Sequence, residues 1–233
     1  MPTRATRGYV ARVAQGVIDR NLESKHVDIL HAIANPPGHL AQIIIREVVA
    51  IGNGSGGSQR VGSAVDVHSL QIIGRLRPAH VNDGEVSTNQ SAFRLLLVRT
   101  RYHAQLTANT LGQILNGASS PNSYQGYRSM FTTQESNADF AGPYDVLYDR
   151  LYINNWPAIV GNVSHPRSYI TIRRRFRRPL KVSYDGNSNT GDSDYGQIWL
   201  IIMPSFDGPY GALASNAAHY YGNLTMRIRY TDA

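Results

Sequence analysis

The sequence predicts an all-β protein, an antiparallel β-sandwich preceded by a short helical N-terminal arm. From residue 40 onward, eight runs rich in Val, Ile, Leu, Tyr or Thr are separated by turn residues, a pattern typical of strands. No segment in that region has the periodicity of a long amphipathic helix, which argues against alternating helices and strands. With 233 residues, 42% hydrophobic and 17% charged, the chain is long and apolar enough to bury a core.

The first 39 residues differ in pattern from the rest. Val10, Val13 and Val17 recur at helical spacing with arginines around them, and Leu22 continues the series loosely. Ser24 is a candidate N-cap for a second short helix over "KHVDILHAIA", which would stop at "NPPG". We therefore predict a helical arm over residues 1–39 and a sandwich domain over residues 40–233.

The strand patterns also predict which strands are covered. "FRLLLVRTR" and "QIWLIIMPS" have continuous apolar centres, as expected for strands buried on both faces. "LTMRIRY" alternates, so that Thr225, Arg227 and Arg229 share one face, and a bulge is expected near His68. Surface loops are expected over 102–143, 185–196 and 203–223. The predicted strand runs are 40–51, 64–77, 91–101, 144–153, 167–177, 179–185, 195–204 and 221–231.

The positive charge is carried almost entirely by arginine. The formal net charge is +7, and Lys25 and Lys181 are the only lysines among the 23 basic residues. Guanidinium groups bind phosphate and carboxylate through paired hydrogen bonds and stack on flat rings. The composition therefore favours anionic partners or charged subunit interfaces, without choosing between them.

The densest basic tract is "TIRRRFRRPLK", residues 171–181. A strand there places Ile172, Arg174 and Phe176 on one face. The other face then carries Thr171, Arg173, Arg175 and Arg177. Arginines cannot be buried without partners, since each desolvated charge costs several kcal/mol. Their face must meet solvent, the phosphates of a nucleic acid or the carboxylates of a neighbouring subunit. Phosphate contacts of this kind would be sequence-independent and salt-sensitive.

The stretch "IGNGSGGSQRVG" has the spelling of a dinucleotide-binding fingerprint, through Gly52, Gly54 and Gly57. That fingerprint needs a following helix and an acid about twenty residues later, whereas a strand-like run follows and position 72 is Ile. We interpret the stretch as a glycine-rich turn between two strands. The residues expected to fix this turn, or to contact a neighbouring subunit, are Gly54, Gln59, Arg60 and Gly62.

No catalytic pattern is present, and we do not expect an enzyme. Cysteine is absent, the eight histidines are scattered, and no nucleophile elbow or zinc-binding helix motif occurs. Asp192 and Asp194, with Asp185 nearby, are candidates for a structural calcium ion, and a solvated acidic turn is the alternative. No other cofactor or metal is predicted. No apolar run is long enough to cross a membrane.

Several motifs occur in an order that resembles a known family. The string "SGGSQRVGSAVDVHSLQIIGRL" is similar to a segment near the start of coat proteins of small circular Rep-encoding single-stranded DNA viruses. "FRLLLVRTR", "YDVLYDRLYI" and the C-terminal "RYTDA" follow in the family's order, so the resemblance covers about residues 40–233. These coat proteins are in turn similar to those of satellite tobacco necrosis virus.

The resemblance implies a single jelly roll of eight antiparallel strands in two sheets. It also implies a virion protein that binds copies of itself in an icosahedral T=1 shell, assembled in the host nucleus or cytoplasm, without membrane contact. The shell would package single-stranded nucleic acid. The candidate phosphate-binding residues are Arg4, Arg7, Arg12, Arg173, Arg175, Arg177, Arg178 and Lys181.

Two features depart from that family. Arg99, Thr100 and Arg101 stand where the family commonly has Asp-Arg-Gln, and residues 1–25 carry a net charge of only +3 where many relatives have a densely basic arm. The alternative function is a cytoplasmic carbohydrate-binding, lectin-like β-sandwich. Sugar binding needs few guanidinium groups, so the excess of Arg over Lys favours the coat protein.

Overall fold

A computed structural model of the chain describes residues 24–33, 44–79, 90–101, 113–115, 132, 142–155, 168–185, 193–206 and 219–233. These residues form nine strands and contain no α-helix, so no helix in the described part could span a membrane. The strands are β1 (Lys25–Ile33), β2 (Ile44–Glu47), β3 (Ala64–Ala79), β4 (Gln90–Thr100), β5 (Tyr144–Asn155), β6 (Ser168–Tyr184), β7 (Ser193–Tyr195), β8 (Ile198–Phe206) and β9 (His219–Asp232).

The nine strands form two antiparallel sheets. Sheet A has the order β1-β9-β3-β6-β7, and sheet B has the order β2-β8-β4-β5. Side chains from both sheets, such as Ile72 and Met226 of sheet A and Leu95 and Ile202 of sheet B, fill one shared core. This arrangement confirms the predicted two-sheet β-sandwich, with five and four described strands in place of four and four.

Sheet B is covered on both faces, as its continuous apolar runs predicted. Its second face buries Leu96 and Ile201 against Ile114 and Leu115, which belong to the long connection after β4. On the same face the Arg94 guanidinium donates two hydrogen bonds to Asp149, with Nε 2.8 Å from Oδ1. Because Arg94 is buried, pairing with a carboxylate offsets the cost of removing its charge from water.

The predicted second helix is wrong, because Lys25–Ile33 is strand β1. Each of its residues pairs with a residue of β9, from Lys25 opposite Tyr230 to Ile33 opposite Gly222. Val27, Ile29 and Ile33 face the core, while Asp28 and Leu30 face outward. A ten-residue segment has too few turns to be a stable helix alone, whereas pairing with β9 supplies backbone partners and buries alternate side chains. The sandwich therefore includes a strand from within residues 1–39, the range predicted as the arm.

Several further boundaries differ from prediction. The runs 167–177 and 179–185 form the single strand β6, which continues through Pro179. The expected loop 185–196 contains the short edge strand β7, which pairs with Ser183 and Tyr184. Residues 1–23 and 34–39 of the predicted arm, including the helix built on Val10, Val13 and Val17, lie outside the described residues.

Replacing Ile33 and Leu30 separately tests whether β1 is a strand. Ile33 is 3% exposed and Leu30 is 67% exposed. We expect Ile33→Ala to lower the free energy of unfolding by about 2–4 kcal/mol, because it leaves a cavity in the core. Leu30→Ala should change it by less than about 0.5 kcal/mol. Urea unfolding followed by fluorescence measures both values, and equal losses would contradict the strand assignment.

Candidate nucleic-acid interface

The outer face of sheet A is a broad polar surface. Residues 70, 72, 172, 226 and 228 point into the core, so the residues that alternate with them point outward. The strand register aligns these outward residues in rows across four strands. One row is Arg175, Ser69, Arg229 and His26, and the next is Arg173, Gln71, Arg227 and Asp28.

Arginines from two strands meet in these rows. Arg173 and Arg175 come from β6, and Arg227 and Arg229 come from β9, with β3 between them. Together with Ser69 and Gln71 they line a shallow groove of about 220 Å³. Strands two apart are separated by about 10 Å, so the two pairs of guanidinium groups flank the groove. We call these four side chains the arginine quartet.

One member of the quartet is paired within the chain. Arg227 donates from Nε to Asp28 Oδ1 at 2.7 Å and from Nη2 to Oδ2 at 2.6 Å. These hydrogen bonds hold the pKa of Asp28 below its ordinary value and raise the pKa of Arg227. For Arg173, Arg175 and Arg229, no carboxylate among the described residues lies within 4.0 Å. The quartet thus presents more positive charge than the described part of the sheet neutralises.

The basic tract of β6 is divided by an irregularity in strand pairing. Val67 lies opposite Leu180 and Ser69 opposite Arg175, so residues 176–179 bulge out opposite His68. This confirms the predicted bulge near His68. Pro179, which has no N–H to donate, is accommodated there because the ladder is interrupted.

The other predicted phosphate-binding residues are placed differently from Arg173 and Arg175. Arg177 and Arg178 are exposed within the bulge, and Lys181 is exposed beyond it, opposite Asp66. Arg174 has the opposite orientation to Arg173, with its guanidinium carbon 5.3 Å from the centre of the Tyr148 ring. Arg4, Arg7 and Arg12 lie outside the described residues.

The glycine-rich stretch is a closed turn that leads into β3. The Gly54 N–H donates to Arg60 O and the Arg60 N–H donates to Gly52 O, both at 3.0 Å. Gln59 Oε1 accepts from Gly56 N at 2.9 Å, and a Cβ at position 54 would lie 2.2 Å from that oxygen. Gly62 has a φ of +98°, a backbone angle that residues other than glycine rarely adopt.

Arg60 is the buried centre of this turn. Its side chain is fully buried, its Nε donates to Ile51 O at 3.1 Å, and its Nη1 donates to Gly62 O. The guanidinium carbon lies 4.2 Å from the centre of the Tyr184 ring, and the Tyr184 hydroxyl donates to Val49 O at 3.1 Å. Burial raises the pKa of Tyr184. Arg60 therefore contacts the turn from inside, and its side chain has no exposed surface.

Sequence reasoning missed a cluster around Lys25. Lys25 is buried, with its Nζ 2.8 Å from Asp232 Oδ2 and 3.1 Å from Gln59 O. Asp232 also accepts from the Val61 N–H through Oδ1 at 3.0 Å. The cluster joins the start of β1, the glycine turn and the end of β9. No local pattern could reveal it, because its members are far apart in the chain.

The acidic calcium candidates are only partly described. Asp192 lies outside the described residues, and Asp194 and Asp185 are exposed on β7 and after β6. Within the described ranges, no three His, Asp or Glu side chains come close enough together to hold a metal ion.

Removing the Arg60 guanidinium should destabilise the fold. We expect Arg60→Met to lower the free energy of unfolding by about 2–5 kcal/mol, because buried carbonyl groups lose their donors. Arg178→Met, which changes an exposed arginine in the bulge, is the matched control and should cost under about 0.5 kcal/mol. Chemical denaturation curves give both values; a tolerated Arg60→Met would mean that the turn does not depend on this side chain.

No protein-family model matches the chain, and no curated protein matches it in sequence. Among solved structures it is similar to that of Desmodium yellow mottle tymovirus, with 7% identity over 90% of this chain and 88% of the other and a TM-score of 0.32. The BFDV capsid protein, solved as a 60-mer, has 7% identity over 90% and 91%, with a TM-score of 0.29. Merkel cell polyomavirus VP1 in complex with disialyllactose has 10% identity over 90% and 96%, with a TM-score of 0.25. These neighbours are viral capsid proteins, and at such identities and scores none of them assigns a function to this chain.

Proposed function

We propose that the chain is a viral coat protein that assembles into a closed shell and binds single-stranded nucleic acid on the outer face of sheet A. The arginine quartet carries this proposal. It presents four guanidinium groups around one groove, and Asp28 is the only described acid in its two rows. Phosphate oxygens are the groups that such a surface binds best, through charge-assisted hydrogen bonds.

The strand order supports a jelly roll as the shell domain. With the short edge strand β7 set aside, sheet A reads β1-β9-β3-β6 and sheet B reads β2-β8-β4-β5. Successive strands alternate between the sheets except at β4 and β5, as in a chain wound through two nested Greek keys. This order requires β1 as a strand, so the jelly-roll proposal depends on that assignment.

Assembly would also cover the edges of the sandwich. β2 and β5 end sheet B, and β1 and β7 end sheet A among the described strands. Uncovered edges risk uncontrolled pairing, whereas contacts between copies in a closed shell convert them into interfaces. We propose an icosahedral T=1 shell in which sheet A faces the genome. In this proposal the protein acts by assembly and charge neutralisation and catalyses no reaction.

Particle imaging tests assembly. We expect negative-stain microscopy of the purified full-length chain to show uniform closed particles, and sedimentation to show one large species. A monodisperse monomer that binds glycans would contradict the coat protein and favour the lectin-like alternative.

Neutralising the quartet tests nucleic-acid binding. A variant with Arg173→Gln, Arg175→Gln and Arg229→Gln should bind single-stranded oligonucleotides more weakly. Loss of three phosphate contacts should reduce the slope of log K against log salt by about 2. Fluorescence anisotropy at several salt concentrations measures this slope, and the 260/280 nm absorbance ratio of purified particles should fall in parallel.

Arg46→Gln is the matched control, because Arg46 is an exposed arginine on sheet B. It should leave the salt slope and the absorbance ratio unchanged. If the triple variant behaves like this control, the quartet serves contacts between subunits instead of nucleic acid.

A further inference from the structure

The outer face of sheet A carries a second kind of surface next to the quartet. Beyond the two arginine rows lie the rows Thr171, Ile73, Thr225 and Leu30, and Tyr169, Arg75, Asn223 and Ala32. Tyr169, Leu30 and Ile73 are among the exposed large hydrophobic side chains. Along the direction of the strands, the face therefore adds exposed aromatic and apolar side chains, together with Arg75, to the arginine rows.

Tyr169 is the most exposed of these side chains, at 73%. Arg75 lies directly opposite it on β3, where cross-strand neighbours are about 5 Å apart at Cβ. Tyr169 is four residues before Arg173 on the same face of β6, a distance of about 13 Å. One β-strand thus joins an open aromatic ring to the phosphate-binding arginines.

We infer that Tyr169 is a stacking platform for an unpaired base of a nucleic acid whose phosphates bind the arginine quartet. This inference rests on the proposed function and deepens it, because it names unpaired bases as part of what the face recognises. Exposed aromatic rings beside a basic groove bind single strands because every base has a flat face to stack. In a duplex those faces are covered by neighbouring base pairs, so a flat sheet cannot reach them.

The charge of the face argues against a second copy of this chain as the occupant. Two copies docked through the same face would place arginines against arginines. Asp28, Asp145, Asp149 and Asp232 already bind cations within the chain, so four of the described carboxylates are already used. Among the described residues, Thr225 lies between Ile73 and Leu30 in their row, so these two exposed apolar side chains are not direct neighbours.

The test compares an oligothymidine with an abasic oligonucleotide of the same length, which has the phosphates but no bases. Binding to the full-length chain at nanomolar concentration is measured by fluorescence anisotropy, with sedimentation recorded in parallel. We expect Tyr169→Ala to weaken oligothymidine binding by roughly 5- to 100-fold. It should leave abasic binding and the salt slope unchanged, and Tyr169→Phe should retain wild-type binding because the ring is kept.

The matched control is Tyr195→Ala, which removes an exposed tyrosine on β7 and should change neither affinity. If wild-type protein binds the two oligonucleotides equally, or Tyr169→Ala weakens both alike, the stacking inference is wrong while phosphate binding stands. If Tyr169→Ala changes only sedimentation, the ring contacts another copy and the inference is again wrong. If wild-type protein binds neither oligonucleotide, the proposed function itself fails.

Discussion

The structure depends on strand β9 lying between β1 and β3. Its residues Leu224, Met226, Ile228 and Tyr230 are fully buried in the core, and Thr225, Arg227 and Arg229 alternate with them on the outer face. Because side chains alternate along a strand, burying one set exposes the other, and a slip of one residue would exchange them. The pairing that builds the core therefore also places half of the arginine quartet. The same strand holds β1 in the sheet and ends at Asp232, which binds Lys25.

The basic residues are used in two distinct ways. Arg60, Arg94 and Lys25 are buried, and each has specific partners: backbone carbonyls and the Tyr184 ring for Arg60, Asp149 for Arg94, and Asp232 with Gln59 O for Lys25. Arg173, Arg175 and Arg229 are exposed on one face and have no carboxylate partner among the described residues. Buried cations need their partners for the fold to be stable, whereas exposed ones remain available for an external anion. This division explains how a chain with a net charge of +7 has both a stable core and a strongly basic surface.

Much of the fold and part of the site could be predicted from local patterns. Alternation in "LTMRIRY" and "TIRRRFRR" correctly placed Thr225, Arg227 and Arg229, and Thr171, Arg173 and Arg175, on exposed faces, and the continuous apolar runs identified the doubly covered strands. The failure at Lys25–Ile33 has a physical reason: over ten residues, apolar side chains at 27, 29, 30 and 33 fit both a helical and a strand period. The two predicted runs 167–177 and 179–185 form one strand, because the bulge that accommodates Pro179 depends on pairing with β3, which the local sequence does not show.

Local sequence patterns were enough to predict the all-β class, the alternation in "LTMRIRY", the strand that follows the glycine-rich turn and an excess of arginine suited to anions. The pairing of strands in the folded chain places β6 and β9 on either side of β3, so that their arginines form one quartet and Tyr169 lies on the same face. Folding also buries Arg60, which lies in the glycine-rich stretch, and leaves Arg173 of the basic tract exposed. The reason is that local patterns act through neighbouring residues, whereas strand order and burial depend on pairings between residues far apart in the chain, such as Gln71 with Arg227.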